Sequence, residues 1–281
     1  MVEKLLGVQQ SYIINMKNQP DKLNHSLDVL KKYGLSEPIR FEAIDGKELL
    51  DTEIETLLTP RAYFKLGSLP RTDHDQLGTL GAIGCYLSHV EIWKKIVSQN
   101  IQRAFIFEDD ITIDITKDEL EILFTKINKI IGNNIHALFF GSYLRDKNNF
   151  KASKGSFASN NIASSEVMTR IPNTKARFVN LHAYVISLEG AKYLLNKAFP
   201  IEVQLDSYIS YMISNDNMND YYFVPSLPGK GVITQLNGNS TVQSHCSHCD
   251  DEIYISQLTI VSFLFFIVVC SLLYILINLR N

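Results

Sequence analysis

The amino-acid sequence predicts an α/β fold with a mostly parallel central sheet, followed by a C-terminal transmembrane helix. Short apolar segments alternate with segments of helical periodicity from the start of the chain, as in strand–helix–strand units. One such segment, residues 104–107, is continuously apolar and too short for a helix, which is typical of a strand buried on both faces. The third observation is a charge-free run from Leu258 to Ile277.

Length and composition bound the domain organisation. The chain has 281 residues, 46% hydrophobic and 20% charged, with a formal net charge of -3. This is enough for one globular domain of about 250 residues and a smaller appendage. We divide the chain into a globular domain (residues 1–245), a juxtamembrane linker (246–257) and a transmembrane helix (258–279). Basic residues form no run, so nucleic acid is not an expected partner, and the four cysteines are too few for a disulfide framework.

The beginning of the chain predicts a strand–helix–strand unit. Residues 11–16 form the first strand, Asp21 is expected to cap the helix that follows, and Gly34 is expected to end it. Residues 39–43 form the second strand, which the turn-forming pair Asp45-Gly46 closes. Such a unit is the building block of α/β sheets with right-handed crossovers.

The remaining elements follow from the same criteria. Thr116 and Glu119 have the spacing of a capping box and predict the start of a helix. The other predicted elements are helices at 50–58, 80–96, from Glu189 and at 203–213, strands at 137–141, 181–187 and 221–224, and loops carrying Pro60 and Pro70 and spanning 142–177.

Three carboxylates come directly after the apolar run: Glu108, Asp109 and Asp110. In open α/β sheets, ligands bind outside the carboxyl ends of strands, so these side chains are expected at a ligand-binding edge. Their charges repel one another unless a cation lies among them, and hard divalent cations prefer oxygen ligands. The alternative is a charged turn that only ends the strand. The three residues by themselves leave both interpretations open.

Short motifs follow one another along the chain in a specific order. They are Ile13-Ile14-Asn15, Phe41-Glu42-Ala43-Ile44-Asp45-Gly46, the segment from Gly81 to His89, Glu108-Asp109-Asp110, the segment from Ala183 to Lys192, and Asp206. This ordered set resembles glycosyltransferase family 25, the lipopolysaccharide and procollagen galactosyltransferase-like enzymes. The resemblance extends over roughly residues 10–245. Each motif is modest alone, and their order makes the set specific.

The resemblance implies a GT-A-like nucleotide-sugar-binding fold, a uridine diphosphate sugar (UDP-sugar) as donor and a divalent metal, typically Mn²⁺. Members move galactose, sometimes glucose, with inversion, and a glycan, a lipid-linked sugar or a hydroxylysine-bearing protein would fit as acceptor. Glu108 and Asp110 are the expected metal ligands, which would hold the diphosphate and neutralise charge on the leaving group. The expected donor-binding residues are Asn15, Asp45, Gly46, Gly81, Gly84, Ser88, His89 and Asp109.

Inverting transfer in one step needs a base beside the acceptor hydroxyl. Asp206 matches an acidic position of the family pattern and is the expected catalytic base; the alternative is a helix-entry residue that only supports the site. Two positions depart from the pattern, because Ala82 stands where an acid is frequent and Lys22 where arginine is usual. A second function class therefore stays open: a catalytically degenerate member that acts as a membrane-tethered binding or scaffold protein.

The apolar run from Leu258 to Ile277 predicts a membrane anchor. At about 1.5 Å per residue it is long enough for the roughly 30 Å hydrocarbon core of a bilayer. Because the N-terminus lacks the apolar core of a secretory signal, we expect a single-pass C-terminal anchor and a cytosolic domain. Cys246 and Cys249, with adjacent histidines, could hold zinc or be acylated, and we expect no metal there.

Overall fold

The computed structural model describes residues 2–67, 71, 75–131, 135–141, 143–145, 169–170, 177–215, 221–224 and 232–236. Its helices are α1 (Pro20–Lys32), α2 (Asp51–Leu57), α3 (Pro60–Lys65), α4 (Leu80–Ser98), α5 (Lys117–Ile130), α6 (Leu188–Asn196) and α7 (Leu205–Asn215). Its strands are β1 (Gln10–Asn15), β2 (Ile39–Glu42), β3 (Arg103–Glu108), β4 (Ile111–Ile113), β5 (Ala137–Phe139), β6 (Tyr143–Arg145), β7 (Thr169–Arg170), β8 (Arg177–Val179), β9 (Ala183–Ser187), β10 (Tyr221–Phe223) and β11 (Ile233–Gln235).

The central sheet is mixed, with the strand order β2-β1-β3-β9-β5-β10-β7. Strands β2, β1 and β3 run parallel, and β10 runs parallel to β5. Strand β9 is antiparallel to both of its neighbours, and β7 is antiparallel to β10. The α/β class is therefore confirmed. Of the expected mostly parallel sheet, β2, β1, β3, β5 and β10 share one direction, whereas β9 and β7 run against it, so the sheet is mixed. A strand buried on both faces is apolar whichever way it runs, so its composition does not encode its direction.

The direction of β9 decides what lies at one edge of the sheet. Because β9 is antiparallel to β3, Ala183 at its beginning pairs with Phe107 near the end of β3. The backbone N–H of Glu108 donates to the carbonyl of His182 over 2.9 Å. His182 therefore lies beside the acidic turn that follows β3.

Hydrophobic cores cover both faces of the sheet. Ala104 and Ile106 of β3 belong to the core formed with α4, α6 and α7, in which Trp93 is fully buried. Phe105 and Phe107 belong to the opposite core, formed with α1 and α5. The alternation along β3 agrees with a strand buried on both faces, as its apolar run predicts.

The helix starts test the capping predictions. Thr116 and Glu119 form the predicted capping box at the start of α5. The prediction for Asp21 is wrong, because α1 begins at Pro20 and has Gln19 at its N-cap position. Pro60 does not lie in a loop but opens α3, since the first turn of a helix does not need the N–H that proline lacks.

The predicted loop over 142–177 is wrong where the structure describes it. It contains β6 and β7 and ends at the beginning of β8, and β6 and β8 pair antiparallel. Strands of two or three residues are too short to show the apolar alternation on which sequence prediction depends. The linker 246–257, with Cys246 and Cys249, and the predicted helix 258–279 lie outside the described residues. Within the described part of the chain, no helix is long and apolar enough to cross a membrane.

Candidate active site

The acidic turn lies between β3 and β4 and is held from two sides. The hydroxyl of Ser26, on α1, donates to the carbonyl of Asp109 over 2.6 Å and accepts from the N–H of Ile111 over 3.3 Å. From the other side, the N–H of Leu236 donates to the carbonyl of Asp110 over 2.7 Å. These bonds fix the backbone of the turn and with it the directions of its side chains.

Asp109 is directed towards the end of β1. Its Oδ2 accepts from Nδ2 of Asn15 over 2.6 Å, and the same amide donates to the carbonyl of Gln19 over 2.8 Å. Oδ1 of Asn15 accepts from Nε of Arg40 over 2.9 Å. Burial raises the pKa of Asp109, against the lowering effects of the Asn15 hydrogen bond and the charge of Lys22. The side chains of Asn15 and Asp109 therefore join the ends of β1 and β3.

Glu108, Asp110 and His182 form a cluster that could hold a metal ion. One ligand atom from each lies within 4.8 Å of the others. Oε2 of Glu108 lies 3.1 Å from Nδ1 of His182, which is itself buried. Oδ2 of Asp110 accepts from Nε2 of Gln235 over 2.8 Å and lies 3.9 Å from Nζ of Lys22. We call these three residues the acidic cluster.

One carboxylate oxygen of the acidic cluster is not hydrogen-bonded to any described residue. Oδ1 of Asp110 is buried and has no hydrogen-bond partner within the part of the chain that the structure describes. An unpaired buried carboxylate oxygen is costly, and a cation beside it would remove that cost. This atom is the strongest structural indication of an ion-binding role for the cluster.

The charges within the cluster support one another. Burial alone would raise the pKa of Glu108, but the hydrogen bond and charge of His182, together with His89 and Lys22, outweigh burial and lower that pKa. Burial alone would lower the pKa of His182, but the hydrogen bond and charge of Glu108, together with the charge of Asp110, outweigh burial and raise that pKa. Glu108 is therefore ionised at neutral pH, the state that a metal ligand requires.

Helix α4 packs closely against the loop that follows β2. A Cβ atom on Gly46 would lie 1.8 Å from a carbonyl oxygen of α4, and one on Gly84 would lie 2.3 Å from the carbonyl oxygen of Ile44. The hydroxyl of Ser88 accepts from the N–H of Ile44 over 2.9 Å and donates to the carbonyl of Gly84 over 2.7 Å. Gly46, Gly84 and Ser88 thus hold the loop that carries Asp45 against α4.

His89 reaches the acidic cluster from α4. Its Nδ1 lies 2.8 Å from the hydroxyl of Tyr184, which accepts from Nε1 of Trp93 over 3.0 Å. Burial lowers the pKa of His89 to about 4, so the ring is neutral at pH 7. A ring nitrogen of His89, the sulfur of Cys85 and an oxygen of Glu108 lie within 4.8 Å of one another. Cys85 and His89 therefore share Glu108 with the acidic cluster.

Asp206 forms a second acidic region at the start of α7. Its Oδ1 accepts from the N–H of Ser207 over 2.8 Å and its Oδ2 from the N–H of Asn180 over 3.3 Å. Burial, with a smaller contribution from the charge of Asp75, raises the pKa of Asp206 to about 6, against the lowering effects of these two hydrogen bonds and the charge of Arg71. A carboxylate with this pKa can accept a proton near neutral pH.

Cys85 is influenced by both acidic regions. Burial raises the pKa of its thiol, and the charges of Glu108, Asp206 and Asp110 act on it in the same direction. All three carboxylates are therefore within electrostatic reach of one sulfur atom. The acidic cluster and Asp206 consequently border a common part of the molecule.

Some of the predicted site residues lie together in the structure. It brings Glu108 close to Asp110 and His89, and it joins Asn15 to Asp109. Asp45 caps a short 3₁₀ turn, its Oδ1 accepting from the N–H of Lys47 over 2.9 Å, and Gly81 lies in the first turn of α4. The donor-binding role of these residues stays a prediction.

Four residues of this region were not among the predicted site residues: His182, Lys22, Gln235 and Cys85. His182 stands directly before an apolar strand, and only the direction of β9 brings it to Glu108. Gln235 is on β11, a three-residue strand, and it reaches Asp110 because β11 pairs with β4. Cys85 offered a usable signal, since it is one helical turn before His89.

Comparison with known proteins identifies the family. The model of the family described as "Glycosyltransferase family 25 (LPS biosynthesis protein)" matches residues 8–209. A glycosyltransferase 25 family member from Aedes aegypti is 29% identical over 213 residues, 75% of this chain and 32% of that protein. Human procollagen galactosyltransferase 2 is 28% identical over 112 residues, 39% of this chain and 17% of that protein.

This chain matches only part of the length of its relatives. A bovine relative, named probable inactive glycosyltransferase 25 family member 3, is 27% identical over 43% of this chain and 20% of its own length. The chain thus spans no more than 32% of the length of these relatives. A solved glycosyltransferase involved in glycosylation of the major capsid of PBCV-1 covers 82% of this chain and 94% of its own at 12% identity. Its TM-score of 0.36 is too low to support an argument.

Proposed function

The chain belongs to glycosyltransferase family 25, and we propose that it is a metal-dependent, inverting hexosyltransferase. The donor would be a UDP-sugar carrying galactose or glucose, and the acceptor a glycan, a lipid-linked sugar or a hydroxylysine-type side chain. One observation carries the proposal: an acidic cluster that contains a buried carboxylate oxygen without a hydrogen-bond partner among the described residues, and that acts electrostatically on the same thiol as Asp206.

The residues of the acidic cluster fit a divalent ion. Glu108 and Asp110 offer carboxylate oxygens and His182 an imidazole nitrogen, a donor set compatible with Mn²⁺. A bound ion supplies charge neutralisation for the diphosphate that leaves the sugar. At His182 the metal ion would compete with a proton for the ring nitrogen, because Glu108 favours the protonated ring. Lys22, 3.9 Å from Asp110, adds a positive charge beside the place proposed for the diphosphate.

Asp206 would take the proton of the acceptor hydroxyl. The carboxylate is held by two backbone N–H groups, so its oxygens have a fixed direction. Its pKa of about 6 leaves it ionised at neutral pH and still basic enough to accept a proton as the acceptor oxygen attacks. The sugar would then pass in one displacement to the acceptor oxygen, with inversion.

The proposed donor side lies along the ends of β1 and β2 and the beginning of α4. Asn15 holds Asp109 in place at the end of β1. The contacts of Gly46, Gly84 and Ser88 hold the loop with Asp45 against α4. We propose that this loop and Gly81 border the nucleotide, and that the glycines are needed because any side chain there would separate the loop from the helix.

Transfer by the full-length protein tests the proposal. Protein treated with a chelator is given labelled UDP-galactose or UDP-glucose and a panel of glycan, lipid-linked and hydroxylysine-containing acceptors, with and without Mn²⁺. We expect transfer only after Mn²⁺ is added, and a product of anomeric configuration opposite to that of the donor. Equal transfer without metal contradicts the metal dependence, and a retained configuration contradicts the single displacement.

A catalytically degenerate, membrane-tethered binding or scaffold protein is the second candidate function. The bovine relative named as probably inactive favours it, as does Ala82 at a position where an acid is frequent in the family pattern. Binding and transfer separate the two candidates. A protein that is stabilised against heat by UDP and Mn²⁺, but transfers no sugar from any UDP-hexose, supports the degenerate member.

We also propose that residues 258–277 anchor the protein in a membrane, with the domain on the cytosolic side. The support is the length of the charge-free run, which matches the hydrocarbon core of a bilayer. After carbonate extraction, the full-length protein is expected in the membrane pellet, and its release into the soluble fraction would contradict the anchor. Glycosylation at the sequon Asn24-His25-Ser26 would instead place the domain in a lumen.

A further inference from the structure

Cys85 and His89 present two potential metal ligands on one face of α4. They are four residues apart, so their side chains are neighbours on the helix surface. The end of β3 brings Glu108 to the same place, and one ligand atom from each of the three residues lies within 4.8 Å of the others. Sulfur, nitrogen and oxygen ligands thus converge next to the acidic cluster.

His89 supplies a second, independent observation. It is 1% exposed, and its Nε2 is buried without a hydrogen-bond partner among the described residues. Its other nitrogen lies 2.8 Å from the hydroxyl of Tyr184, which Trp93 holds in turn. A histidine oriented through one ring nitrogen, with the other left free, is the usual arrangement of a metal ligand.

We propose that Cys85, His89 and Glu108 form a separate binding site for a thiophilic divalent cation, of which Zn²⁺ is the physiological representative. On binding, the thiol of Cys85 loses its proton to solvent and a sulfur–metal bond forms, with no change of oxidation state. The neutral imidazole of His89 and the ionised carboxylate of Glu108 donate without losing a proton. A soft thiolate ligand favours Zn²⁺, Cd²⁺ or Co²⁺ over Mn²⁺, so the site differs from the acidic cluster in preference.

Glu108 belongs to both groups of ligands, which has a consequence for activity. An ion held by Cys85 and His89 draws on the carboxylate that the acidic cluster needs for its own ion. Zn²⁺ therefore inhibits transfer by competing for Glu108. This consequence rests on the proposed function, whereas the existence of the site does not.

Spectroscopy of bound Co²⁺ tests the site without any assay of activity. In the full-length variant Cys246→Ser/Cys249→Ser/Cys270→Ser, Cys85 is the only cysteine left. We expect one equivalent of Co²⁺ to produce a sulfur-to-cobalt charge-transfer band, which Zn²⁺ abolishes by displacement and excess Mn²⁺ does not. Absence of the band at saturating Co²⁺ overturns the proposal, as does its displacement by Mn²⁺ at equal concentration.

Substitutions identify the ligands. Adding Cys85→Ser to that variant should remove the band. Replacing Tyr184 by Phe, which takes away the outer partner of His89, should weaken Co²⁺ binding by about 10–100-fold. Ser98→Ala, on the exposed end of α4, is the matched control and should bind Co²⁺ unchanged. Equal affinity in the Tyr184→Phe variant contradicts the assignment of His89.

Alkylation of Cys85 gives a second measurement that needs no substitution in the site. In the variant with Cys85 as its only cysteine, Zn²⁺ should slow the reaction of the thiol with iodoacetamide at least about tenfold, because a metal-bound sulfur is no longer a free nucleophile. A chelator should restore the rate. An alkylation rate that Zn²⁺ leaves unchanged overturns the site even if a substituted variant fails to fold.

Assays of sugar transfer distinguish the proposed cation site from the proposed function. Zn²⁺ added to the Mn²⁺-supplied protein should reduce transfer by the wild type, and should reduce transfer by Cys85→Ser much less, each relative to its own rate without Zn²⁺. If the Co²⁺ band appears and no transfer occurs under any condition, the proposed function fails and the site stands. If transfer occurs and the band does not appear, the site fails and the proposed function stands.

Discussion

Glu108 in the acidic cluster and Asp206 at the start of α7 are both subject to burial, but their pKa values shift in opposite directions. At the acidic cluster, the hydrogen bond and charge of His182, together with His89 and Lys22, outweigh the effect of burial and lower the pKa of Glu108. At the start of α7, backbone N–H groups and the charge of Arg71 do not outweigh burial, and the pKa of Asp206 rises to about 6. The lowered pKa suits Glu108 to its proposed role as a metal ligand, and the raised pKa suits Asp206 to its proposed role as a proton acceptor.

The difference arises from the elements that carry the two acids. Glu108 is the last residue of β3, where the antiparallel β9 delivers an imidazole to it. Asp206 is in the first turn of α7, a position where the helix dipole favours an anion. Burial nevertheless raises the pKa of Asp206 at this position. Asp75, buried and bonded to Ser207 and Tyr211, adds a like charge nearby.

Removing a charge from the acidic cluster is expected to have the largest effect. Glu108→Gln and Asp110→Asn should each abolish measurable transfer, because each removes one of the two carboxylates proposed for the ion. The stabilisation against heat by Mn²⁺ plus UDP should disappear in parallel, as thermal unfolding with and without both ligands would show.

Asp114→Asn is the control for these substitutions, since Asp114 is exposed and stands just beyond the same turn. It should transfer sugar at close to the wild-type rate. Undiminished turnover in Glu108→Gln or Asp110→Asn would remove the acidic cluster from the mechanism and end the comparison with Asp206.

Asp206→Asn is expected to reduce the rate about a hundredfold or more, the range for loss of a positioned proton acceptor. Stabilisation by Mn²⁺ plus UDP should remain, because Asp206 is proposed to face the acceptor. Rates at saturating donor and acceptor, together with thermal unfolding, distinguish the two properties. A variant with weakened donor binding and a normal rate would assign Asp206 to the nucleotide site or to structure.

His182→Gln tests whether the imidazole acts on the ion. We expect the Mn²⁺ concentration for half-maximal activity to rise about 10–100-fold, the usual cost of losing a group that orients or assists a ligand, while the rate at saturating Mn²⁺ stays closer to wild type. The activation curve for Asp206→Asn should keep its wild-type midpoint. A midpoint unchanged in His182→Gln would reduce His182 to a structural neighbour of Glu108.

The sequence predicts the elements of this fold far better than their directions. The apolar run before Glu108 predicts β3, and the periodicity around His89 predicts α4, because burial repeats with the period of each element. The direction of β9 has no such signature, and His182 could not be placed beside Glu108 without it. A parallel β9 would have put His182 at the opposite edge of the sheet.

The candidate site residues were likewise easier to identify from the sequence than the roles they have in the structure. The order of the family motifs pointed to Glu108, Asp110 and Asp206, which the structure places in two acidic regions whose charges both act on the thiol of Cys85. The motifs did not distinguish residues that face a ligand from residues that hold the backbone. Ser88 is fully buried and bonded to one backbone group in α4 and one in the loop beside it. This role depends on the close approach of the loop to α4 and cannot be read from spacing.

The pH dependence of transfer at saturating donor, acceptor and Mn²⁺ tests the division of roles most directly. Asp206 must lose its proton to act as a base, so the rate should rise with pH and level off above an apparent pKa of about 6. In Asp206→Asn the remaining slow rate should lack this step, while Asp114→Asn should keep it. A step of the same position and size in Asp206→Asn, or a rate that falls as pH rises through this range, would contradict the account.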